Sequence, residues 1–226
     1  MLKTTFALLL ALVIAAPVYA QTVTENVERT LSLQPGGTMR LKTFSGRVRI
    51  TGGAGNQVVI KAVRRAKQDR LDDIKLEITQ NGNTIEVDAN YRVVERRNDN
   101  VVETDFEIQV PVSTRLDIKT FSASVTVIGV NADQNIDGFS SSITVESNEW
   151  ADHDLDINTF SGGVRLRLPA SARGNIDFNT FSGSFESDLP VTLNNSSRRN
   201  FRGALNGGGA GDFKLKTFSG DVAIRK

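Results

Sequence analysis

Cysteine is missing from all 226 residues, histidine and tryptophan occur once each, and charge of neither sign predominates. Each absence excludes something. Without cysteine the fold holds no disulfide, and no cysteine-borne lipid anchor is available. With no cysteine and His153 as the single imidazole, zinc and redox-metal sites of ordinary ligand type are not expected, and no cofactor is assigned. Lys and Arg total 27 against 26 Asp and Glu. The basic excess of a nucleic-acid binder is therefore lacking, and no such partner is expected. Beyond residue 20, no apolar run approaches the length of a membrane-spanning helix, so no transmembrane anchor is expected.

What is present begins with an address. Lys3, the apolar run Phe6 to Ala16 and the small residues of Val18-Tyr19-Ala20 predict a signal peptide over 1–20, cleaved after Ala20. The protein is expected to be exported and periplasmic, cell-surface or secreted, with the periplasm favoured.

The dominant feature is a phrase written six times: Lys-Thr-Phe-Ser-Gly at 42–46, then its variants around Phe121, Phe139, Phe160, Phe181 and Phe218. From Phe121 onward the copies recur about every 20 residues, allowing for a degenerate copy at Phe201, as in stacked repeat architectures. Four residues after each Phe stand Val48, Val125, Ile143, Val164, Phe185 and Val222, and six after stand Ile50, Val127, Val145, Leu166, Ser187 and Ile224. Three residues before each Phe stand Leu41, Ile118, Ile136, Ile157, Phe178 and Leu215. One straight strand cannot bury both sets, because side chains alternate between faces. Each copy therefore reads as strand, corner, strand. The fold class this predicts is all-β: a parallel β-solenoid of about six coils, with Phe44, Phe121, Phe139, Phe160, Phe181 and Phe218 forming a ladder in the core.

Residues 54–110 break the repeat. Ile74 to Thr79 and Thr84 to Asp88 alternate around Gln80-Asn81-Gly82-Asn83, which signals a hairpin. The expected organisation is a signal peptide (1–20), an N-terminal β segment with the first repeat and the hairpin, capping the solenoid (21–110), and solenoid repeats (111–226). The last coil, with Phe218, Val222 and Ile224 guarded only by Arg225 and Lys226, reads as an open end. It is the expected surface for homo-oligomerisation.

The run Phe106 to Val112, then Leu116-Asp-Ile-Lys-Thr-Phe-Ser, then repeated Thr-Phe-Ser-Gly-x-Val strands, resembles the bacterial putative adhesin family of β-strand-repeat proteins, first filed as a domain of unknown function. The resemblance covers roughly residues 30–226. It implies an exported, solenoid-like envelope protein without known enzymatic activity, and it carries over no functional residues.

Chemistry-bearing motifs are sparse. His153 lies in a polar loop and has no nucleophile–base pattern around it, so no catalytic residue is assigned and no enzyme is expected. The same loop gathers Glu146, Glu149, Asp152, Asp154 and Asp156 beside Trp150, and a basic cluster follows at Arg198, Arg199 and Arg202. Glu149, Trp150, Asp152, Asp154, Arg198, Arg199 and Arg202 are the candidate surface site; solvated loops are the plainer reading of both groups. Asp117, Asp156 and Asp177 share one outward position, four residues before Phe. The function expected is a non-catalytic envelope binding module, adhesin-like, acting through its solenoid surface on an envelope glycan or protein partner. A self-assembling structural scaffold and a polysaccharide-active β-helix enzyme are the alternatives.

Overall fold

Alternation of apolar and polar side chains at a period of two sets almost every element of this chain. The computed structural model describes residues 22–92, 101–150, 152–197 and 199–226; the expected signal peptide lies outside them. Strands β1 (Val23–Ser32) and β2 (Thr38–Thr43) precede the first corner, and β3 (Arg47–Gly53) and β4 (Gln57–Ala66) follow it. A short helix, α1 (Gln68–Asp73), leads into the hairpin of β5 (Ile74–Asn81) and β6 (Thr84–Arg92). Gly82 takes φ +56° in its turn, where the Asn-Gly signal placed it. β7 (Glu103–Pro111) is followed by the repeat pairs β8 (Arg115–Thr120) with β9 (Ser124–Ile128), β10 (Gln134–Ser140) with β11 (Ile143–Glu146), β12 (Leu155–Ser161) with β13 (Val164–Arg167), and β14 (Gly174–Thr180) with β15 (Phe185–Ser187). An antiparallel pair, β16 (Val191–Ser196) and β17 (Asn200–Leu205), separates these from the last repeat, β18 (Asp212–Thr217) and β19 (Val222–Arg225).

The chain is all-β, in two mixed sheets that share one core. The strand before each corner joins a ten-stranded sheet, β16-β17-β14-β18-β12-β10-β8-β2-β6-β5. The strand after it joins a nine-stranded sheet, β1-β4-β7-β3-β9-β11-β13-β19-β15. The repeat strands pair in parallel and in register, so equivalent residues form rows. Val87, Leu41, Ile118, Ile136, Ile157, Leu215 and Phe178 make one buried row. In the facing sheet, Phe106, Val48, Val125, Ile143, Val164 and Val222 make another. Both rows belong to a single hydrophobic cluster. The path is thus solenoid-like, as the repeat period implied.

Three details differ from the sequence reading. The coils do not stack in chain order: β18 lies between β12 and β14, and β19 between β13 and β15. The C-terminal coil is therefore an interior layer, which removes the open end on which the expected oligomer surface was based. Phe201 does not begin a further coil but sits on β17, antiparallel to β14, and closes the core with Phe178 and Phe185 at ring-centroid distances of 5.2 and 4.9 Å. Aromatic bulk plugs this end where no further apolar row follows. Finally, residues 54–110 are not antiparallel throughout. β4 pairs antiparallel with β1 and β7, and β5 with β6, but β6 runs parallel to β2 and β7 parallel to β3, extending the rows.

Glycine at the corners answers a close approach of backbones. A β-carbon on Gly220 would lie 2.0 Å from the Gly162 carbonyl oxygen and 2.7 Å from Thr217 Oγ1, whereas one on Gly163 would meet nothing nearer than Asp221 O at 3.7 Å. Main chain locked in a ladder cannot give way cheaply. Gly220→Ala is expected to cost about 3 kcal/mol, and Gly163→Ala less than about 0.5 kcal/mol. Urea denaturation midpoints compare them, and coincident midpoints would show that the corner backbone yields. One copy solves the same crowding in reverse. Where the others carry Thr before the Phe, it has Gly138, and two residues after Phe139 it has the buried Ser141, whose β-carbon would lie 2.7 Å from any added at 138.

Candidate functional site: an exposed phenylalanine ladder

The corner phrase divides its residues between inside and outside. In β2, Met39, Leu41 and Thr43 point inward and are buried, so Phe44 continues the outward series of Arg40 and Lys42. The same holds in the other copies. Thr120, Thr159, Thr180 and Thr217 are buried at the strand end. In three copies the threonine hydroxyl accepts a corner N–H: Ala123 N to Thr120 Oγ1 at 3.0 Å, Gly183 N to Thr180 Oγ1 at 2.9 Å, and Gly220 N to Thr217 Oγ1 at 2.7 Å. The phase change thus falls after the Phe, not at it.

This overturns the assignment of the six phenylalanines to the core. Phe44 is half-buried, and Phe121, Phe139, Phe160, Phe181 and Phe218 are 44–60% exposed. In-register parallel pairing stacks them in the order 44, 121, 139, 160, 218, 181. Centroids are 4.7, 4.9, 4.9, 4.6 and 4.8 Å apart and planes lie within 12°. That separation is the spacing of neighbouring strands. Each interior ring has both faces covered by its neighbours, and its edge meets solvent. Backbone bonds hold the row rigid: Ser122 N donates to Phe44 O (2.8 Å), Ser140 N to Phe121 O (2.7 Å), Ser219 N to Phe160 O (3.0 Å) and Ser182 N to Phe218 O (3.0 Å).

Polar rows flank the ladder. On the strand side, in stacking order, stand Lys42, Lys119, Asp137, Asn158, Lys216 and Asn179. Between them and the rings runs a shallow groove of about 1110 Å3, floored by the corner threonines. On the corner side are the serines, with Ser140 Oγ and Ser161 Oγ 3.1 Å apart. Farther along this corner, Asp221 accepts bonds from Ser184 Oγ (2.7 Å) and Ser184 N (2.8 Å). Those bonds hold its carboxyl below the usual carboxylate range, so it stays charged and ties two coils together.

The residues singled out from the sequence are spread over several places. Arg199 caps the ladder, with its guanidinium carbon 5.9 Å from the centroid of the Phe181 ring and its carbonyl accepting from Thr180 N at 2.8 Å. Arg202 instead pairs with Asp177 at 3.2 Å, and Arg198 lies outside the described residues. Trp150 stacks on Phe213 at 5.2 Å and packs against the core. The Glu149 carbonyl accepts from Ser147 Oγ within the loop, and Asp154 Oδ1 accepts from Asp212 N at 3.0 Å, binding loop to strand. Asp152 is exposed and His153 half-buried. Among the described residues, no three His, Asp or Glu side chains converge as metal ligands would. The aspartate row is divided by cations: Asp117 lies 3.8 Å from Arg40, and Lys214 stands in register between Asp156 and Asp177. The acidic loop and the basic cluster therefore do not form one site. The exposed ladder does form one, and alternation could have revealed it. Residues three and one before the Phe are both inward, which leaves the Phe itself outward.

The fold has a counterpart among solved structures. A crystal structure described as that of a putative cell adhesion protein from Clostridium sporogenes superposes with a TM-score of 0.66 at 12% identity, covering 89% of this chain and 99% of that one. A second, described as a putative adhesin from Bacteroides fragilis, covers 88% of this chain and 97% of that one at 9% identity, with a TM-score of 0.28. No curated protein matches the chain. The family description that does match, Toastrack DUF4097, spans residues 36–225, from before the first repeat to the penultimate residue. The chain belongs to the Toastrack DUF4097 family.

Proposed function

We propose that this protein is an exported, non-catalytic binding module of the cell envelope, adhesin-like, whose working surface is the phenylalanine ladder and the groove beside it. The observation that carries this reading is the exposure of five of the six stacked rings. A rigid apolar row left in solvent is the mark of an interaction surface. The cell-adhesion description of the Clostridium structure agrees with it. Export rests on the charged start, apolar run and small-residue cleavage pattern of residues 1–20. The non-catalytic reading rests on the solitary His153 and on carboxylates engaged by neighbouring cations, such as Glu146 with Arg167 at 2.8 Å.

Retention of envelope material tests it. Immobilised protein is expected to retain fractionated envelope from a cell that makes it. The double variant Phe121→Ser/Phe160→Ser is expected to retain at least tenfold less, as loss of anchoring side chains does at interfaces. Equal retention by the two proteins would move the working surface elsewhere.

A further inference from the structure

The chemistry of the ladder narrows what can lie against it. A sugar stacks on the face of an aromatic ring, yet the faces of Phe121, Phe139, Phe160 and Phe218 are covered by neighbouring rings 4.6–4.9 Å away. The outer face of Phe181 is taken by Arg199. What solvent meets is a line of ring edges, apolar and unbroken, about 24 Å long measured along the successive centroids. The flanking charges are mostly of one sign. Lys42, Lys119 and Lys216 line the groove with Arg199 at its end; Asp137 is the one acidic residue lining it, and Asp88, in register with Lys42, extends the row beyond Phe44. A second copy of the chain answers this pattern only in part. In full register an antiparallel two-fold apposition would set Lys119 over the other copy's Lys216; a shift of one strand would give Lys216 the other copy's Asp137 but leave Lys42 and Lys119 without an anion; and the alternative would set the lysines over neutral serines. The complement required is apolar along a line and anionic beside it.

We infer that the ladder is a membrane-docking edge. The ring edges of Phe121, Phe139, Phe160 and Phe218 enter the interface of an anionic phospholipid bilayer, while Lys42, Lys119, Lys216 and Arg199 meet its phosphates. An apolar row that includes Phe, bordered by basic side chains, is held at the bilayer interface, and the basic rim adds attraction to anionic lipid. Because the row is hydrogen-bonded through its backbone, docking requires no ordering of main chain. The inference rests on the ladder being the working surface, as proposed above, and names its partner.

Sedimentation with vesicles tests it, using protein that begins at Gln21 so that the apolar run of residues 6–16 cannot contribute. Every described residue lies within that span. Binding is expected to vesicles containing about one-third phosphatidylglycerol, at least tenfold tighter than to pure phosphatidylcholine, and to weaken with added salt. Phe121→Ser/Phe160→Ser should lower it at least tenfold. Lys119→Glu/Lys216→Glu, which leaves every ring in place, should abolish the preference for anionic lipid. Both variants are first checked for an unchanged circular dichroism spectrum. Wild-type protein that ignores anionic vesicles, or ladder variants that bind them equally well, would overturn the inference. If vesicles are ignored while ladder-dependent retention of envelope protein or glycan persists, the membrane assignment falls and the binding-module reading stands. If retention is ladder-independent too, both fall.

Discussion

Removing residues 212–226 is expected to abolish folding, with loss of the far-ultraviolet strand signal and of cooperative thermal unfolding. Strand β18 is hydrogen-bonded on both sides, to β12 and β14, and β19 likewise to β13 and β15. Every sheet connection between the β14–β17 end and the rest of the molecule passes through these two strands. Their loss would strip Phe178 of its in-register neighbour Leu215, and would remove the buried side chains Phe213, Leu215, Val222 and Ile224. At roughly 1.5–3 kcal/mol for each, those four alone match the net stability of an ordinary domain. A truncated protein that still unfolds cooperatively would show that the two ends of the sheets stand independently.

Phe178→Ala is expected to cost about 3–5 kcal/mol, as large truncations at a filled core position do. Phe178 is fully buried and touches the rings of Phe185 and Phe201. Phe160→Ala should cost only about 1–2 kcal/mol. It is 46% exposed, and what it loses is chiefly its stacking with Phe139 and Phe218. Chemical denaturation of the two variants gives the comparison. A Phe160 loss as large as that at Phe178 would mean that the ladder serves stability before recognition.

The two phenylalanines also show how far the sequence can be read. Period-two spacing placed Leu41, Ile118 and Val48 inside correctly, and with them the strands, the corners and the all-β class. The outward ladder went unread because Phe is so apolar that burial was assumed, although Thr43 one residue earlier already held the inward position. Coil order was obscured for a different reason. The copies around Phe160, Phe181 and Phe218 present nearly the same residues to their neighbours, so pattern alone does not say which stacks on which. One clue was present: Ser187 replaces the apolar residue found six after the other phenylalanines. β15 is indeed the edge strand of its sheet, where Ser187 Oγ turns to the Leu189 carbonyl at 2.8 Å. The basic cluster divided because Arg199 lies in the turn before β17, over the Phe181 ring, while Arg202 lies on the strand opposite Asp177. That separation depends on the antiparallel return of β17, which repeat arithmetic had read as another coil.

The insertion of β18 and β19 between earlier strands also governs the order in which this protein can mature. Repeats that stack in chain order can add one layer at a time, each on a surface already formed. Here β14 and β15 have no layer to rest on until the strands made last have arrived, so the final layers form by a long-range closure rather than by propagation. Such closures slow folding and leave apolar surface uncovered in the interval. If the chain is exported as proposed, N-terminus first, the layers from β6 to β13 would assemble as they emerge, and the far end would stay open until residues 212–226 had crossed and locked it.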